Sequence, residues 1–583
     1  MKRKYLLIPL GIIGFLLLVL TLIFPAILMW QQAPPLSSVQ VIRQNGSVPT
    51  LELVSVPEDC ETTAVANEPP CNPSLARSGW SISHGGSYAQ GSTALPGPTA
   101  NDTFLVQHLD LANVAITYNF SSPYADGGVA VWGSLLTLDG TIVKLDHDAF
   151  AVIDSYSPQF EENGEIDRGL GISGAYSAID RDNHFIVGRQ RAVEIYADSV
   201  AGDRYSAIAL LKRFQLPDEF FCGDADLIVG INLTYDDHIV IVTEGGVVGV
   251  LPREIEKLTA VNLQRYSING DNCQNENDHI ISNSIAVDEE GGIYIVTSRA
   301  MLRVQWDGSA LSLAWQTPYD TAPGYLSALR LGPGSGSTPS LMGTGTDADK
   351  FVVFTDGQEL MHLVFMWRDE IPSDWQPIAP GKDRRIACEV PIRFGYPEAT
   401  RSLSEQSVLV RGYAAVVVNN LLQEEPGYWR RIPQQISGSL AAFAGGDPDV
   451  APFGIERIDW DATTQQCQQV WVNEDISIPN GIPTMSEASG LFYGIGQRDG
   501  VWGLEAVDFA TGESAFFVPS SQTTCSLASV PQIRSLGLRF TAVIPTLLTR
   551  PRNCENTVFA ATEVGPDSTI YTGTFLGVSK FSP

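Results

Sequence analysis

The sequence predicts an all-β protein, an eight-bladed β-propeller of four-stranded antiparallel blades, with a seven-bladed ring as the alternative. The main observation is a repeat: an extended stretch enters an acidic or polar turn and leaves it as an apolar, β-rich stretch. Its eight copies are LLTLDGTIVKL (135–145), YSAIDRDNHFIVG (176–188), INLTYDDHIVIVT (231–243), SIAVDEEGGIYIVT (284–297), GTGTDADKFVVFTD (343–356), RSLSEQSVLVRG (401–412), PTMSEASGLFYGIG (483–496) and TEVGPDSTIYTG (562–573). Repeats of four-strand size that consist mostly of strands are typical of propellers.

The spacing of the copies supports this fold class. One acid marks each copy, and successive acids are 43, 54, 52, 61, 56, 82 and 80 residues apart. The acids are Asp139, Asp182, Asp236, Asp288, Asp349, Glu405, Glu487 and Asp567. Most of these steps fit one four-stranded blade, and the two longest leave room for an insertion.

Composition agrees with a large, turn-rich β protein. The chain has 583 residues, 53 of them Gly and 36 Pro, with 44% hydrophobic and only 17% charged residues. Such a chain is long and apolar enough to bury a sizeable core. Its formal net charge of −30 would repel phosphate backbones, so nucleic acid is excluded as a partner.

The N-terminus predicts a membrane anchor. Three basic residues at positions 2–4 precede an uncharged apolar run, Tyr5 to Trp30. At about 1.5 Å per residue, a helix of this length crosses a hydrocarbon core of about 30 Å. The basic residues should remain cytoplasmic. Residues 1–31 are therefore predicted as a cytoplasmic tip and transmembrane signal-anchor, and the alternative is a signal peptide cleaved near Ala33.

Two further segments follow the anchor. Residues 32–79 are rich in proline and lack apolar periodicity, which predicts a stalk. Residues 80–583 continue without another linker and are predicted as the propeller, in the periplasm or the extracellular space. We expect the stretch 103–120 to close the ring by pairing with the C-terminal strands, since closure removes exposed edges.

The cysteines fit an exported chain. All eight lie beyond the anchor, and such an even number in an exported protein indicates disulfides. Spacing does not determine the connectivity. Pairing of sequence neighbours is the expectation: Cys60–Cys71, Cys222–Cys273, Cys388–Cys467 and Cys525–Cys554.

The unit from 412 to 480 is oversized. Its insertion carries Tyr428, Trp429, Arg430 and Arg431 side by side in a chain otherwise poor in cations. An aromatic and basic group of this kind is a candidate partner-binding patch. The alternative is a surface insertion without a binding role.

Several units continue into a known pattern. GLEAVDFATGESAFF (503–517) resembles the quinoprotein-type docking motif A-x-D-x-x-T-G-x-x-x-W, of the kind found in pyrroloquinoline-quinone (PQQ)-type repeats. The matching residues are Ala506, Asp508, Thr511 and Gly512, with Phe516 in place of the tryptophan. Partial copies place the Asp and Trp at Asp307 and Trp315, and at Asp461 and Trp471; a third keeps only Asp146 or Asp148.

The chain thus resembles the quinoprotein-like β-propellers. In that family the aromatic packs between neighbouring blades, and the Asp and Thr tie the turn. The resemblance implies eight blades. It does not imply the quinone, because quinone-binding members hold the cofactor with two adjacent cysteines and a calcium site, and this chain has no adjacent cysteines.

A weaker resemblance concerns the segments SNSIAVDEEGGIYIV (282–296) and IPNGIPTMSEASGLFYGI (478–495). They are similar to segments of gluconolactonase-like and strictosidine-synthase-like propellers. This resemblance implies that Asn283 and Asn480, with Asn232 in a comparable place, point into the channel and bind a divalent cation such as calcium. The alternative is that each asparagine caps a turn. Glu563 and Asp278 are the nearest candidates for the missing carboxylates.

Two functions remain open at this point. The first is a binding or scaffold module that holds a protein, a glycan or an envelope component at the cell envelope. The second is an enzyme at the channel mouth, either a metal-dependent lactonase-like hydrolase or a quinoprotein-like oxidoreductase. The histidines show no metal-ligand spacing, and the sequence does not decide whether the protein is an enzyme.

Overall fold

Eight four-stranded antiparallel sheets form the body of the protein. The structure is a computed structural model that describes residues 42–43, 67–77, 84, 86–111, 114–136, 140–158, 173–270, 273, 279–322, 334–345, 347–423, 445, 450–520, 555–557, 559–574 and 577–583. The first strands of most neighbouring sheets contact one another, and the second strand of the last sheet contacts the first strand of the first sheet, which places the sheets around a common axis. The predicted all-β propeller is confirmed with eight blades, so the seven-bladed alternative is wrong.

Each blade is a meander that runs outward from the axis. Its strands, from inner to outer, are Ala115–Phe120, Ala130–Leu135, Ile142–Asp146 and Ala151–Tyr156 in blade 1; Ser177–Ile179, Phe185–Arg189, Ala192–Asp198 and Ile208–Gln215 in blade 2; Ile228–Leu233, His238–Thr243, Val247–Pro252 and Gln264–Ser267 in blade 3; Ala286–Val287, Gly292–Val296, Ala300–Trp306 and Leu311–Pro318 in blade 4; Ser340–Met342, Phe351–Thr355, His362–Trp367 and Ile386–Pro391 in blade 5; Leu409–Arg411, Ala414–Val418, Ile455–Asp461 and Gln466–Asn473 in blade 6; Thr484–Ser486, Leu491–Arg498, Val501–Asp508 and Ser514–Pro519 in blade 7; and Thr562–Val564, Ile570–Thr574, Gly577–Ser582 and Leu105–Asp110 in blade 8.

The remaining elements are short. Ser92–Thr93 pairs in parallel with the inner strand of blade 7, and Ile42–Arg43 pairs with its outer strand. Short 3-10 helices are Asp218–Phe220, Ile255–Lys257, Ala260–Asn262 and Pro566–Ser568.

The meander gives the disc two different faces. The first-to-second turns of all blades and the third-to-outer turns of blades 1 to 7 lie at one end of the axis, here called the turn face. The second-to-third turns and the connections between blades lie at the other end, here called the loop face. This follows from antiparallel pairing, because successive turns of a meander alternate between the two ends of its strands.

The ring closes through a strand from the N-terminal side. Leu105–Asp110 pairs antiparallel with Gly577–Ser582, with Leu105 opposite Ser582 and Asp110 opposite Gly577. The expected closing stretch 103–120 is therefore confirmed in its first part, and its second part begins blade 1. The closing strand covers the edge of Gly577–Ser582, which would otherwise be exposed.

Not all landmark acids mark the same turn. Six of the eight lie in first-to-second turns: Asp182, Asp236, Asp288, Asp349, Glu487 and Asp567. Glu405 instead precedes the inner strand of blade 6, and Asp139 lies outside the described residues. A polar turn between two apolar strands looks alike in sequence whichever pair of strands it joins, so the repeat predicted the blade count but not every turn.

Acidic residues occur in these turns because a carboxylate can satisfy their backbone. Asp180 Oδ1 accepts the amides of Asp182 and His184 at 2.9 and 2.8 Å. Asp288 Oδ1 accepts the amides of Glu290 and Gly292 at 3.0 and 2.7 Å. These are Asx-type turns, which explains the repeated acid without any catalytic role.

The core is divided among the gaps between neighbouring blades. The docking motif lies in one such gap, where Asp508 Oδ1 accepts the amides of Ala510 and Thr511, both at 2.9 Å. From blade 6, the indole of Trp471 donates to the Phe509 carbonyl at 2.9 Å. This is the structural role that the resemblance implies.

The partial copies of the motif behave in the same way. Trp315 of blade 4 donates to the Arg368 carbonyl of blade 5 at 3.1 Å. Asp307 and Asp461 cap their own turns through amides that follow them in sequence. The motif therefore connects neighbouring blades.

Gly512 provides a test of this joint. Its φ is +76°, and a Cβ placed there would lie 2.5 Å from a ring carbon of Trp471. Gly202 has the same φ of +76° but nothing within 4 Å of such a Cβ. We expect Gly202→Ala to cost about 1–2 kcal/mol for the backbone alone, and Gly512→Ala to cost about 1–3 kcal/mol more through overpacking. Urea unfolding of both variants measures the difference; equal costs would contradict the contact.

Two of the expected disulfides are present. Cys222–Cys273 joins two loop-face connections, with a Cα separation of 5.4 Å. Cys388–Cys467 joins the outer strands of blades 5 and 6, with a Cα separation of 6.3 Å. Cys71 is also disulfide-bonded, but its expected partner Cys60 lies outside the described residues, as do Cys525 and Cys554. Those two pairings stay predictions.

Within the described part of the chain, no helix is long and apolar enough to cross a bilayer. The predicted anchor, Tyr5 to Trp30, lies outside that part.

Candidate binding site around the central channel

A segment of the chain itself lies across the turn-face end of the channel. Residues 86–98, here called the axial segment, run along the inner strands of four consecutive blades. Its carbonyls accept amides of those strands: Ser87 from Val287 at 2.8 Å, Tyr88 from Leu341 at 2.9 Å, Gln90 from Val410 at 2.9 Å and Gly91 from Met485 at 3.0 Å. The segment thus satisfies the axis-facing edges of these strands, which would otherwise stay open.

Residues 67–77 continue this arrangement. Asn72 Nδ2 donates to the Leu233 carbonyl of blade 3, and the Ala76 amide donates to the Ile179 carbonyl of blade 2, both at 2.9 Å. Arg411 of blade 6 bonds Glu68 at 3.0 Å. These residues were expected to end the stalk 32–79, yet they lie on the blades. Proline content does not distinguish a free stalk from a chain that lies extended on a protein surface.

The sequence held a signal for this segment that we did not use. From Ser78 to Asn101 there is no Asp, Glu, Lys or Arg. Such a long uncharged stretch of small residues is unusual for a solvated linker and fits a buried one.

One side chain holds the axial segment between blades 4 and 5. Tyr88 is 1% exposed, and its hydroxyl donates to Glu289 Oε2 at 2.5 Å. Its ring lies 5.0 Å from the guanidinium carbon of Arg368. Burial raises the pKa of Tyr88 far above its usual value, so the hydroxyl stays protonated and can donate.

Arg368 is itself buried. Its Nε and Nη1 have no hydrogen-bond partner among the described residues, and the nearest acid, Asp369, is 3.7 Å from Nε. The aromatic face of Tyr88 is therefore a substantial part of what stabilises this cation.

The three predicted metal-binding asparagines lie at different places. Asn232 is near the turn-face end of its inner strand, whereas Asn283 and Asn480 precede their inner strands and lie toward the loop face. Each one ties two blades. Asn232 donates to the Ile285 carbonyl at 3.1 Å, Asn283 to the Ser335 carbonyl at 3.1 Å, and Asn480 Oδ1 accepts from Thr557 Oγ1 at 3.1 Å. A common cation site for them rests on the family resemblance alone.

Glu563, one of the two suggested carboxylates, is buried on the inner strand of blade 8. Burial raises the pKa of Glu563 well above its usual value, although a hydrogen bond from the Tyr118 backbone amide opposes this. Burial thus disfavours the charged carboxylate that a cation site needs. Asp278 lies outside the described residues.

One cluster of metal-ligand residue types is already neutralised by the protein. Asp180, Asp182 and His184 lie together in the first turn of blade 2. Arg253 Nη1 lies 2.5 Å from Asp180 and 2.6 Å from Asp182. The Arg253 guanidinium thus already pairs with both acids of this cluster.

Three histidines on different blades each have a neighbour within hydrogen-bond distance of Nδ1. They are His238, with Nδ1 2.9 Å from the Asp236 carbonyl, His279, with Nδ1 2.8 Å from Thr297 Oγ1, and His362, with Nδ1 2.8 Å from Asp356 Oδ2.

His362 gives a pH-dependent test of such a contact. Burial lowers the pKa of His362, but the hydrogen bond to Asp356 and the negative charges of Asp356 and Glu389 together outweigh burial, so the pKa lies above 6.5. A raised pKa adds stability that is complete below 6.5 and is lost as pH rises through the folded-state value. We expect the cost of His362→Gln, measured by urea unfolding from about pH 5 to about pH 9, to shrink as pH rises. A cost that stays constant or grows with pH would contradict this.

The predicted partner-binding residues Tyr428, Trp429, Arg430 and Arg431 lie outside the described residues. The strands that flank their insertion end at Val418 and begin again at Ile455. This connection joins a second strand to a third strand and therefore leaves from the loop face.

The loop face carries the long connections. The four longest between strands of the ring all belong to it: 157–176, 319–339, 419–454 and 520–561. The turn face has shorter turns, and the axial segment covers its channel end. The two faces therefore offer very different surfaces to a partner.

The arrangement of blades defines an eight-bladed β-propeller. It is similar to a europium-containing methanol dehydrogenase, with a TM-score of 0.49 and 10% identity, covering 86% of this chain and 98% of that one. It is also similar to the dihydro-heme d1 dehydrogenase NirN, with a TM-score of 0.40 and 10% identity, covering 70% and 67%. Likeness at this level concerns the fold alone.

Sequence comparison gives a closer relationship. No family model matches the chain. Over 515 residues it is 40% identical to an uncharacterized protein of Archaeoglobus fulgidus, covering 88% of this chain and 89% of that protein. The chain belongs to the same family as this archaeal protein.

The residues do not fit the quinone-binding arrangement that belongs to the resemblance stated from the sequence. The sequence lacks two adjacent cysteines, and both fully described disulfides join separate connections or separate blades. The resemblance to quinoproteins is thus one of scaffold and docking motif.

Proposed function

We propose that this protein is a membrane-anchored, exported β-propeller that acts as a binding or scaffold module at the cell envelope. Its partner is a protein or a glycan of the envelope, and the loop face is the surface that holds it.

The observation that carries this proposal is the difference between the two faces. The four longest connections leave from the loop face, while residues of the chain itself occupy the turn-face end of the channel. In folds built on a rigid scaffold, binding residues are concentrated on long loops at one end. The loop face is therefore the favoured contact surface.

Two observations support an exported location. The disulfides Cys222–Cys273 and Cys388–Cys467 are stable in oxidising compartments outside the cytoplasm. The uncharged run from Tyr5 to Trp30 after a basic tip has the length and the charge asymmetry of an anchor with a cytoplasmic N-terminus.

The proposed contact face can be tested by site-specific photo-crosslinking of the full chain in its own membrane. Exposed positions on the loop face are Asp224 and Arg299, and matched exposed positions on the turn face are Asp203 and Val261. We expect crosslinks to one partner from the loop-face pair only. Crosslinks from the turn-face pair alone, or from neither pair, would contradict the proposal.

A charge-reversal variant tests whether the insertion of blade 6 contacts the partner. Reversing both arginines, R430E and R431E, should weaken the loop-face crosslink at least severalfold. The rest of the chain carries an excess of acids, so these two cations provide positive charge that a contact at the insertion would use. An unchanged crosslink would remove the insertion from the contact surface without removing the loop face.

The anchor is tested separately. The full chain should sediment with membranes and resist alkaline extraction, whereas a chain that lacks residues 1–31 should stay in the supernatant. Protease added outside the cell should degrade the propeller of the full chain. Equal behaviour of the two chains would contradict membrane anchoring.

A further inference from the structure

Three metal-ligand side chains meet at the junction of blade 8 and blade 1. His147 and Asp148 lie in the third-to-outer turn of blade 1, and Asp567 lies in the first-to-second turn of blade 8. Both turns belong to the turn face. The ligand atoms of the three side chains all lie within 4.8 Å of one another, so small rotations would bring them around one ion.

His147 is held like a metal ligand. Its side chain is only 3% exposed, and its Nδ1 lies 2.9 Å from the hydroxyl of Tyr571. Its Nε2 is directed at the acids, with Asp567 Oδ2 3.6 Å away, which is longer than a hydrogen bond. A partner on one ring nitrogen that fixes the other toward the ion is the usual support of a metal-binding histidine.

The two carboxylates are accessible. Asp567 is 85% exposed and Asp148 is 57% exposed. Asp148 lies 3.2 Å from Arg204, but Arg204 also bonds Asp126 and Asp146, at 2.8 and 3.0 Å. Arg204 therefore remains paired if Asp148 turns toward an ion.

The second cluster of the same residue types provides an internal comparison. In Asp180–Asp182–His184 the guanidinium of Arg253 bridges both acids. At the blade 8–blade 1 junction the corresponding pair, Asp148 and Asp567, belongs to two different blades. Arg204 is within salt-bridge distance of Asp148 but forms no salt bridge with Asp567 among the described residues. The Lys580 ammonium donates to the His147 carbonyl at 2.6 Å and interacts electrostatically with both acids, but the described residues show no salt bridge from Lys580 to either one.

We propose that His147 Nε2, Asp148 and Asp567 bind a divalent first-row transition-metal ion, Zn²⁺ being the best match, that ties blade 8 to blade 1. One imidazole nitrogen with two carboxylate oxygens suits zinc and its neighbours rather than calcium, which takes oxygen ligands only. Water completes the coordination, since both acids face solvent. The site is independent of the proposed partner surface, which is on the loop face.

The location gives the ion a mechanical role. Blade 8 is the blade that the N-terminal strand completes, and its other neighbour in the ring is blade 7. An ion at the blade 8–blade 1 junction joins residues near the C-terminus to the blade that follows the closing strand. It would therefore resist opening of the ring at its closure.

The test uses the full chain in detergent after removal of metal with a chelator. Added Zn²⁺ should raise the melting temperature by about 2 °C at a hundredfold excess over Kd. Co²⁺, used as a spectroscopic probe, should give visible d–d absorption that one equivalent saturates. Absence of both responses would overturn the proposal.

Two variants locate the response. His147→Ala should abolish both signals, and Asp567→Asn, at an exposed position that does not threaten folding, should weaken the affinity at least tenfold. His184→Ala, in the cluster bridged by Arg253, should leave both signals intact. If Asp567→Asn binds like the unaltered chain, or if His184→Ala loses the signal, the ion binds elsewhere and the proposal fails.

Discussion

Replacing Trp367 with alanine should lower the free energy of unfolding by about 3–5 kcal/mol. Trp367 is buried in the third strand of blade 5, and its ring centre lies 4.6 Å from Phe351 and 5.7 Å from Trp460. Trp460 belongs to blade 6, so this aromatic group fills the gap between two blades. The stability falls for two reasons. The variant no longer buries the large apolar surface of the tryptophan, and it leaves a cavity that the strands of two sheets cannot close.

Trp375 is the matched control for this experiment. It touches the same cluster, 5.4 Å from Trp367, but it lies in a turn and is only partly buried. Trp375→Ala should cost less than half as much in the same urea titration. Equal costs at the two positions, or a loss below about 1 kcal/mol at Trp367, would contradict the packing of blades 5 and 6.

The second large effect is expected at Tyr88. Tyr88→Ala should cost about 3–5 kcal/mol, because it removes a fully buried ring from the gap between blades 4 and 5. It also leaves the buried Arg368 cation without the aromatic face that opposes it. The axial segment should then become sensitive to protease, since the side chain that fixes it is gone.

Tyr88→Phe separates the ring from the hydroxyl. It keeps the packing and the aromatic face but removes the bond to Glu289, so it should cost about 1.5–3 kcal/mol, the range for a hydrogen bond to a charged group. Limited proteolysis should leave its axial segment intact. If Tyr88→Ala is as stable and as resistant as the unaltered chain, the axial segment does not occupy the channel.

Much of the architecture could be predicted because the determinants are local. Polar turns between apolar strands gave the blade count, and the A-x-D-x-x-T-G motif at Ala506–Gly512 gave the joint between blades. Two neighbouring cysteine pairs gave two disulfides, because consecutive blades bring consecutive connections together. The residues that determine each of these features lie within one repeat or within two adjacent repeats.

Other features depend on contacts that sequence spacing does not encode. Residues 67–77 were predicted as the end of a stalk, and residues 86–98 were placed in the propeller without a separate role, because small residues and prolines occur both in free linkers and in chains that lie on a sheet edge. His147 and Asp567 are 420 positions apart, and only closure of the ring brings them together. The asparagines 232, 283 and 480 resembled one another in sequence, yet their strand positions place them at different ends of the channel.

The central claim is that one chain forms a closed ring whose last blade is completed from its N-terminal side. It is tested most directly by a double-cysteine chain, Leu105→Cys with Ser582→Cys, because these residues face each other across the closing strands. Directly opposed residues in an antiparallel pair have Cα atoms about 4.5–5.5 Å apart, within disulfide range. Under mild oxidation of the folded chain, we expect a rapid intramolecular crosslink, identified by mass spectrometry of the joined peptides. A crosslink that forms only between chains, or only after unfolding, would contradict the closed ring.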